Sequence, residues 1–147
     1  MARLLVPMSM LSLLSMGAIF GFFYAWVCST MWGLDAAEPR VAIPAMNASV
    51  RNPVFFPAFF LTPVLLVLTA LIAARQNRGR AAALFLAGAV IYVAGALLVT
   101  AMVYVPMNEA LAQVTVPTDS AVAADIWQVY STPWQFWNTL RALVSGF

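Results

Sequence analysis

Two indoles, an amide and a guanidinium near the C-terminus have the residue types and spacing of a binding site. At about 100° per residue, Trp134, Trp137, Asn138 and Arg141 fall on one face of a helix, opposite the apolar Phe136. Aromatic rings stack on indoles, and an amide and a guanidinium hydrogen-bond oxygen atoms. This face suits a flat aromatic molecule that carries hydroxyl or carbonyl oxygens.

The composition around this stretch is that of a membrane protein. The chain has 147 residues, 64% hydrophobic and only 8% charged, which leaves too few polar groups to cover a soluble domain. An ionisable side chain inside a membrane segment is costly unless it is paired or hydrated. We therefore expect an all-α integral membrane protein in which Arg141 faces other helices or a wet pocket.

Three apolar runs are long enough to cross about 30 Å of hydrocarbon, at roughly 20 residues each. They cover residues 8–32, 54–74 and 81–104, and the longer connections are 33–53 and 105–132. A short amphipathic helix is expected from Ser120 to Tyr130. Thr132-Pro133 then has the form of a cap followed by a first-turn proline, so a fourth helix is expected over 133–147, only about 22 Å long. We predict a single-domain four-helix bundle with a short fourth helix.

The spacing of small residues within the apolar runs predicts how the helices pack against each other. Small residues every four positions in the first run, Gly17, Gly21, Ala25 and Ser29, predict an interhelical seam. Gly88 and Gly95 in the third run predict a matching groove, so that the first and third helices pack together. In the second run, Pro57 and Pro63 lie among Phe55, Phe56, Phe59 and Phe60. These rings form either an interface belt or the wall of a cavity opened by the proline kinks.

Absent residue types exclude several chemistries. The chain has no His and one cysteine, Cys28, so an internal disulfide and the usual zinc, copper and haem-histidine arrangements are ruled out. We expect no bound metal and no cofactor. Without a Ser-His-Asp or Cys-His set, a phosphate loop or paired carboxylates, nothing in the sequence supports a hydrolase or a kinase.

Polar residues from separate stretches are expected at one layer of the bundle. Asn47, Arg51 and Asn52 precede the second run, Pro106 and Asn108 end the third, and Trp134 to Arg141 begin the last helix. Each also has a purely structural interpretation: a helix cap, a turn residue, an interface anchor, or a salt bridge between Arg141 and Glu109. Their occurrence in one layer favours a site.

The motifs at these positions resemble a known family. They are Phe20-Gly21-Phe22-Phe23, Met46-Asn47-x-x-Val50-Arg51-Asn52-Pro53-x-Phe55, Val105-Pro106-Met107-Asn108 and Trp134-x-x-Trp137-Asn138-x-x-Arg141. This pattern is similar to that of the DUF1772 or anthrone oxygenase-like family of small membrane proteins. The resemblance implies a four-helix membrane bundle and, for some members, oxidation of polyketide anthrones to anthraquinones by O₂ without a recognised metal or flavin.

The resemblance also implies roles for individual residues. Arg141 and Asn138 would hold an oxyanion, and Asn108 and Asn47 would orient the substrate. Glu109 is the best-placed carboxylate base, with a deprotonated phenol or water as the alternatives. The remaining substrate-binding candidates are Arg51 at the entrance, Asn52, Trp134, Trp137, Phe55 and Phe59.

Two other classes of function remain open. The chain could be a non-catalytic accessory subunit of a larger membrane complex, or a module that binds a quinone or lipid without turnover. The expected partners are membrane lipid and an aromatic or quinone-like small molecule, together with a homo-oligomer or a larger membrane complex. We expect no nucleic-acid partner.

Charge predicts the orientation in the membrane. Arg75, Arg78 and Arg80 lie between the second and third runs, whereas the acids lie in the other two connections. The positive-inside rule then places both termini in the cytoplasm, in our expectation at the inner membrane of a bacterium.

In a Cys28→Ser background, Arg78→Cys should stay unlabelled by an impermeant thiol reagent added to intact cells, whereas Glu38→Cys should react. Labelling at position 78 from outside would overturn this topology.

Overall fold

The computed structural model describes residues 4–50 and 52–146, and they form an all-helical bundle. Five helices follow in order: α1 (Leu5–Ala36), α2 (Pro39–Ser49), α3 (Phe55–Arg75), α4 (Gly79–Ala112) and α5 (Ser120–Gly146). The first, third and fourth are long and apolar enough to cross a membrane. The prediction of an all-α integral membrane bundle is confirmed.

The four long helices form a ring in the order α1, α3, α4, α5. Helix α1 packs against α3 and α5, and α4 packs against the same two helices, so α1 and α4 lie diagonally across the bundle. The predicted pairing of the first and third spans is therefore wrong. Gly95 instead marks where α4 meets α5, since a Cβ there would overlap Val144 Cγ1, whereas a Cβ on Gly88 would meet nothing within 4 Å.

The small-residue stripe of α1 lies on its outer surface. Gly17, Gly21, Ala25 and Ser29 are all exposed, and the two glycines have no neighbour within 4 Å of an added Cβ. The buried face is the one that carries Ser12, where the Ser12 and Thr69 hydroxyls hydrogen-bond across to α3 at 2.9 Å. The predicted seam is wrong because the bundle buries a hydroxyl and aromatic face instead.

A three-residue turn sets α3 and α4 antiparallel. Asn77 has a positive φ of 57°, the left-handed conformation common just after a helix. The Arg78 N–H donates to the Ala73 carbonyl at 2.9 Å and the Asn77 N–H to the Ala74 carbonyl at 3.1 Å, which satisfies the last carbonyls of α3. We call this end of the bundle, with Arg75, Arg78 and Arg80, the basic end.

Helices α3 and α4 stay in contact only over part of their length. Their packing lies along Gly79–Tyr92, and α4 leaves α3 beyond that point. Where they part, the Tyr92 hydroxyl donates to the Phe59 carbonyl at 2.9 Å. Pro63 explains this bond, because it has no N–H to donate to the carbonyl four residues earlier.

Helix α5 is one continuous helix. It begins beside Asp119, whose carboxylate accepts from the Ala121 N–H at 2.8 Å, and it runs through Pro133 to Gly146. The predicted break at Thr132-Pro133 is wrong, and the short helix expected over 133–147 is the second half of a helix of 27 residues. The carbonyl freed by Pro133 belongs to Val129, which is 77% exposed, so the bundle core loses no hydrogen bond.

Helix α4 likewise passes through Pro106 and continues to Ala112, so this proline is not the predicted boundary. Helix α3 begins at Phe55, just after a turn in which the Asn52 side-chain oxygen accepts from the Val54 N–H at 2.9 Å.

The other end of the bundle, which we call the acidic end, is covered by α2. Its buried residues Ala42, Ile43 and Met46 pack on a cluster that includes Trp26 and Trp134. Asp35, at the end of α1, ties this end to α5 by accepting hydrogen bonds from Trp127, Ser131 and Gln135 at 2.9, 2.6 and 2.8 Å. Nearby, the hydrogen bond and charge of Arg40 hold the pKa of Glu38 below its usual value.

The bond at the parting point of α3 and α4 is testable. Tyr92→Phe should destabilise the protein by about 1–3 kcal/mol, because it leaves the buried Phe59 carbonyl without a donor. Pro63→Ala restores an N–H within α3, so the double variant should lose less stability than Tyr92→Phe alone. Unfolding in mixed micelles measures both. Additive losses would mean that Tyr92 does not compensate for Pro63.

Candidate functional site

A cavity of about 380 Å³ lies among the four long helices, in the half of the bundle toward the acidic end. Its lining comprises Phe22, Phe23, Trp26, Val50, Asn52, Phe55, Phe56, Phe59, Phe60, Thr100, Tyr104, Val105, Asn108, Trp134 and Arg141. Four of the phenylalanines belong to the proline-flanked stretch of α3. The structure therefore favours a cavity wall over an interface belt for these rings.

The predicted polar face of α5 is buried and its opposite face is exposed. Asn138 and Arg141 are 1% and 6% exposed, whereas Phe136 is 66% exposed. This is the arrangement expected from the helical period. Arg141 is thus a cation enclosed by the bundle.

Neutral groups surround the guanidinium. Arg141 Nη1 donates to Thr100 Oγ1 at 3.0 Å, and Nη2 donates to Asn138 Oδ1 at 2.9 Å. Asn138 in turn donates from Nδ2 to the Phe23 carbonyl at 2.9 Å, so it fixes Arg141 to α1. No ion pair to Arg141 occurs within residues 4–50 and 52–146, and the alternative of a lock to Glu109 is not what these residues form.

Aromatic faces supply the rest of its surroundings. The guanidinium carbon lies 3.5 Å from the ring centre of Tyr104, 4.3 Å from that of Phe23 and 5.9 Å from that of Trp134. The electron-rich face of an aromatic ring attracts a cation, most strongly where water is excluded. Tyr104 is itself held, because its hydroxyl donates to the Trp134 carbonyl at 2.9 Å.

Two buried donors in the cavity lining lack acceptors. Neither Arg141 Nε nor Trp134 Nε1 has a hydrogen-bond partner among the described residues. A buried donor left unsatisfied costs about 1–3 kcal/mol. Both side chains line the same cavity, so an oxygen atom of a ligand placed there is the natural acceptor once the side chains adjust.

Asn52 and Asn108 form the polar lining at the other end of the cavity. The Asn52 oxygen accepts from Val54, and the Asn108 oxygen accepts from the Tyr130 hydroxyl at 2.7 Å. Each oxygen already accepts one hydrogen bond, and each amide also has an NH₂ group that can donate. Asn108 lies about 12 Å along α4 from Thr100, so donors stand at two ends of an aromatic-walled space.

Irregular helix geometry places several lining residues. Helix α1 has a π-helical segment at Trp26–Thr30, and α4 has two, at Val93–Leu98 and Thr100–Tyr104. Such segments are frequent at functional sites because they shift which residues face inward. Thr100, Tyr104 and Trp26 are not among the site residues predicted from the sequence. The available signal was the spacing of Thr100, Tyr104 and Asn108, four residues apart on one helical face.

The structure brings together only part of the predicted site. Asn138 lies behind Arg141 rather than in the lining, and Trp137 packs against the cluster at the acidic end. Asn47 belongs to α2, where its Nδ2 donates to the Leu111 carbonyl of α4 at 3.4 Å. Glu109 is exposed and does not line the cavity. Arg51 lies outside the described residues.

Residues of all three downstream motifs meet at this cavity: Val50, Asn52 and Phe55, then Val105 and Asn108, then Trp134 and Arg141. Residues 46–147 match the family described as anthrone oxygenase. The chain belongs to the anthrone oxygenase family. The matched range of this family begins after α1, yet α1 contributes Phe22, Phe23 and Trp26 to the lining. No curated protein and no solved structure matches the chain.

The bond between Thr100 and Arg141 gives a prediction about stability. Thr100→Val keeps the side-chain shape but removes the acceptor of a charged donor, so it should cost about 1–3 kcal/mol of unfolding free energy. Thr139→Val, at an exposed site on α5, is the matched control and should change it by less than about 0.5 kcal/mol. Equal effects of the two changes would contradict the assigned role of Thr100.

Proposed function

We propose that this cavity binds a flat polycyclic aromatic with a carbonyl oxygen, and that the protein oxidises it with O₂ in the manner of an anthrone oxygenase. The observation that carries the proposal is the enclosed guanidinium of Arg141, which has aromatic faces and neutral acceptors around it and spare donors. The family membership supports the same reaction class.

The lining groups suit such a ligand. The guanidinium has five N–H donors, and the contacts to Thr100 and Asn138 use two of them. The others stabilise an oxyanion at the ligand carbonyl, while the NH₂ groups of Asn52 and Asn108 bind oxygens at the far rings. Phe55 and Phe59, whose ring centres are 4.9 Å apart, form a wall against which rings stack.

The reaction needs only a stabilised anion and O₂. An anthrone that loses a proton from its CH₂ carbon places the charge on the carbonyl oxygen, beside Arg141. The anion gives one electron to O₂, and the carbon radical and superoxide combine to a peroxide, which is protonated. Loss of the second hydrogen with cleavage of the O–O bond gives the new carbonyl and water. One O₂ thus converts CH₂ to C=O and releases one H₂O.

The proton acceptor follows from the lining. None of the described cavity-lining residues is a carboxylate, and Glu109 is exposed outside the cavity. We therefore assign the first proton to water at the Asn52 and Asn108 end, with the positive charge of Arg141 making the anion easier to form. This replaces Glu109 as the base in our proposal.

Oxygen consumption tests the reaction. Protein in lipid nanodiscs with emodin anthrone should consume one O₂ for each anthraquinone formed, faster than protein-free nanodiscs. Arg141→Lys keeps the charge but loses the planar donor array, so its rate should fall at least tenfold, about 1.4 kcal/mol. Arg75→Lys, an exposed arginine at the basic end, is the matched control and should keep the full rate.

Other results would select another function. Tight binding of the aromatic without O₂ uptake would make the protein a quinone-type binding module. Uptake that is unaffected by Arg141→Lys, in a variant that folds normally, would remove Arg141 from the reaction. A stoichiometric protein partner after mild extraction, with neither binding nor uptake, would favour an accessory subunit.

A further inference from the structure

The residues that line the cavity differ in exposure from one side to the other. On the inner side, Phe23, Trp26 and Trp134 are 0%, 7% and 2% exposed. On the outer side, three lining residues are largely exposed: Phe56 at 43%, Phe60 at 57% and Val105 at 43%. All three belong to α3 or α4, so the cavity opens through the gap between these two helices.

The course of the helices explains this gap. Helices α3 and α4 pack together only along Gly79–Tyr92, and the Tyr92 bond to the Phe59 carbonyl closes the gap on its basic side. Beyond Tyr92, α3 and α4 no longer pack closely along their length. The gap is therefore a slot bounded below by Tyr92 and flanked by the exposed rings of Phe56 and Phe60.

The position of the slot along the helices places it within the hydrocarbon layer of the membrane. Phe60 and Phe56 lie about 22 and 28 Å along α3 from Arg75. A hydrocarbon layer is about 30 Å thick, so a spanning α3 puts both rings among acyl chains. Asn108 lies about 43 Å along α4 from Gly79, beyond this thickness, so the amide end of the cavity lies at the membrane surface.

We propose that the cavity receives its ligand sideways from the hydrocarbon layer, through the slot at Phe56 and Phe60. The ligand is then an uncharged aromatic that partitions into the membrane. This narrows the substrate class proposed above, and it rests on the proposed oxygenase function only for the kind of ligand. Phe60, the most exposed lining ring, is the residue that controls passage. The amide end admits water and small polar species.

Thiol reactivity tests the route without any substrate. Thr100→Cys, in a Cys28→Ser background, places a thiol in the cavity lining, and Val54→Cys, at a position 82% exposed, provides the reference. In nanodiscs, the rate at which each reagent modifies position 100 is divided by the rate at which the same reagent modifies position 54. This ratio should be at least tenfold higher for neutral N-phenylmaleimide than for a sulfonated maleimide. Adding Phe60→Trp should slow the neutral reagent at least fivefold. Adding Leu61→Trp, at a neighbouring exposed position outside the lining, should not.

The outcomes separate the two proposals. Equal normalised rates for the two reagents, or equal effects of the tryptophans at positions 60 and 61, would overturn the lateral route, whether or not the protein consumes O₂. A fast, Phe60-dependent reaction of the neutral reagent supports the route even if anthrone is never oxidised, and in that case only the proposed reaction fails.

Discussion

The enclosure of one positive charge by an apolar bundle is the constraint on which the other features of the site depend. A carboxylate beside Arg141 would neutralise the charge but would also occupy the guanidinium. The structure instead spreads the charge over two neutral acceptors and the faces of Tyr104 and Phe23. This keeps a buried cation available to an incoming anion. Asn138 completes the arrangement by joining Arg141 to the backbone of α1.

Irregularities of the backbone make room for the enclosed charge and place polar groups beside it. Pro63 frees a carbonyl that Tyr92 takes up, and this bond marks the point where α3 and α4 part. Beyond it, the π-helical segment Thr100–Tyr104 places a hydroxyl and a ring at its two ends against the same guanidinium. Regular helices packed along their full length would leave no room for either the cavity or its polar groups.

The sequence predicted the bundle and the face of α5 well, because both depend on local pattern: apolar length for the spans and the 3.6-residue period for Asn138 and Arg141. It failed where the outcome depends on neighbours. Whether Pro133 breaks a helix depends on which side its freed carbonyl faces. The four-residue spacing of Gly17 and Gly21 permits another helix to approach closely, but it does not determine which face of α1 is buried. The spacing of Thr100, Tyr104 and Asn108 indicates one helical face. A π-helical segment adds a residue to a turn, however, so a regular period does not determine whether that face meets the cavity.

The polar face of α5 also bears on how the chain assembles. Among the helices of residues 4–50 and 52–146, only α1, α3 and α4 are apolar enough to be candidate spans by themselves, whereas α5 carries Asn138, Arg141 and Ser145 along one side. Free in a lipid layer, that side would face acyl chains at high cost. Its acceptors are the Phe23 carbonyl on α1 and the Thr100 hydroxyl on α4, which belong to helices made earlier in translation. We therefore expect α5 to enter the bilayer only by packing against the helices that precede it, so that the site forms when this packing is complete.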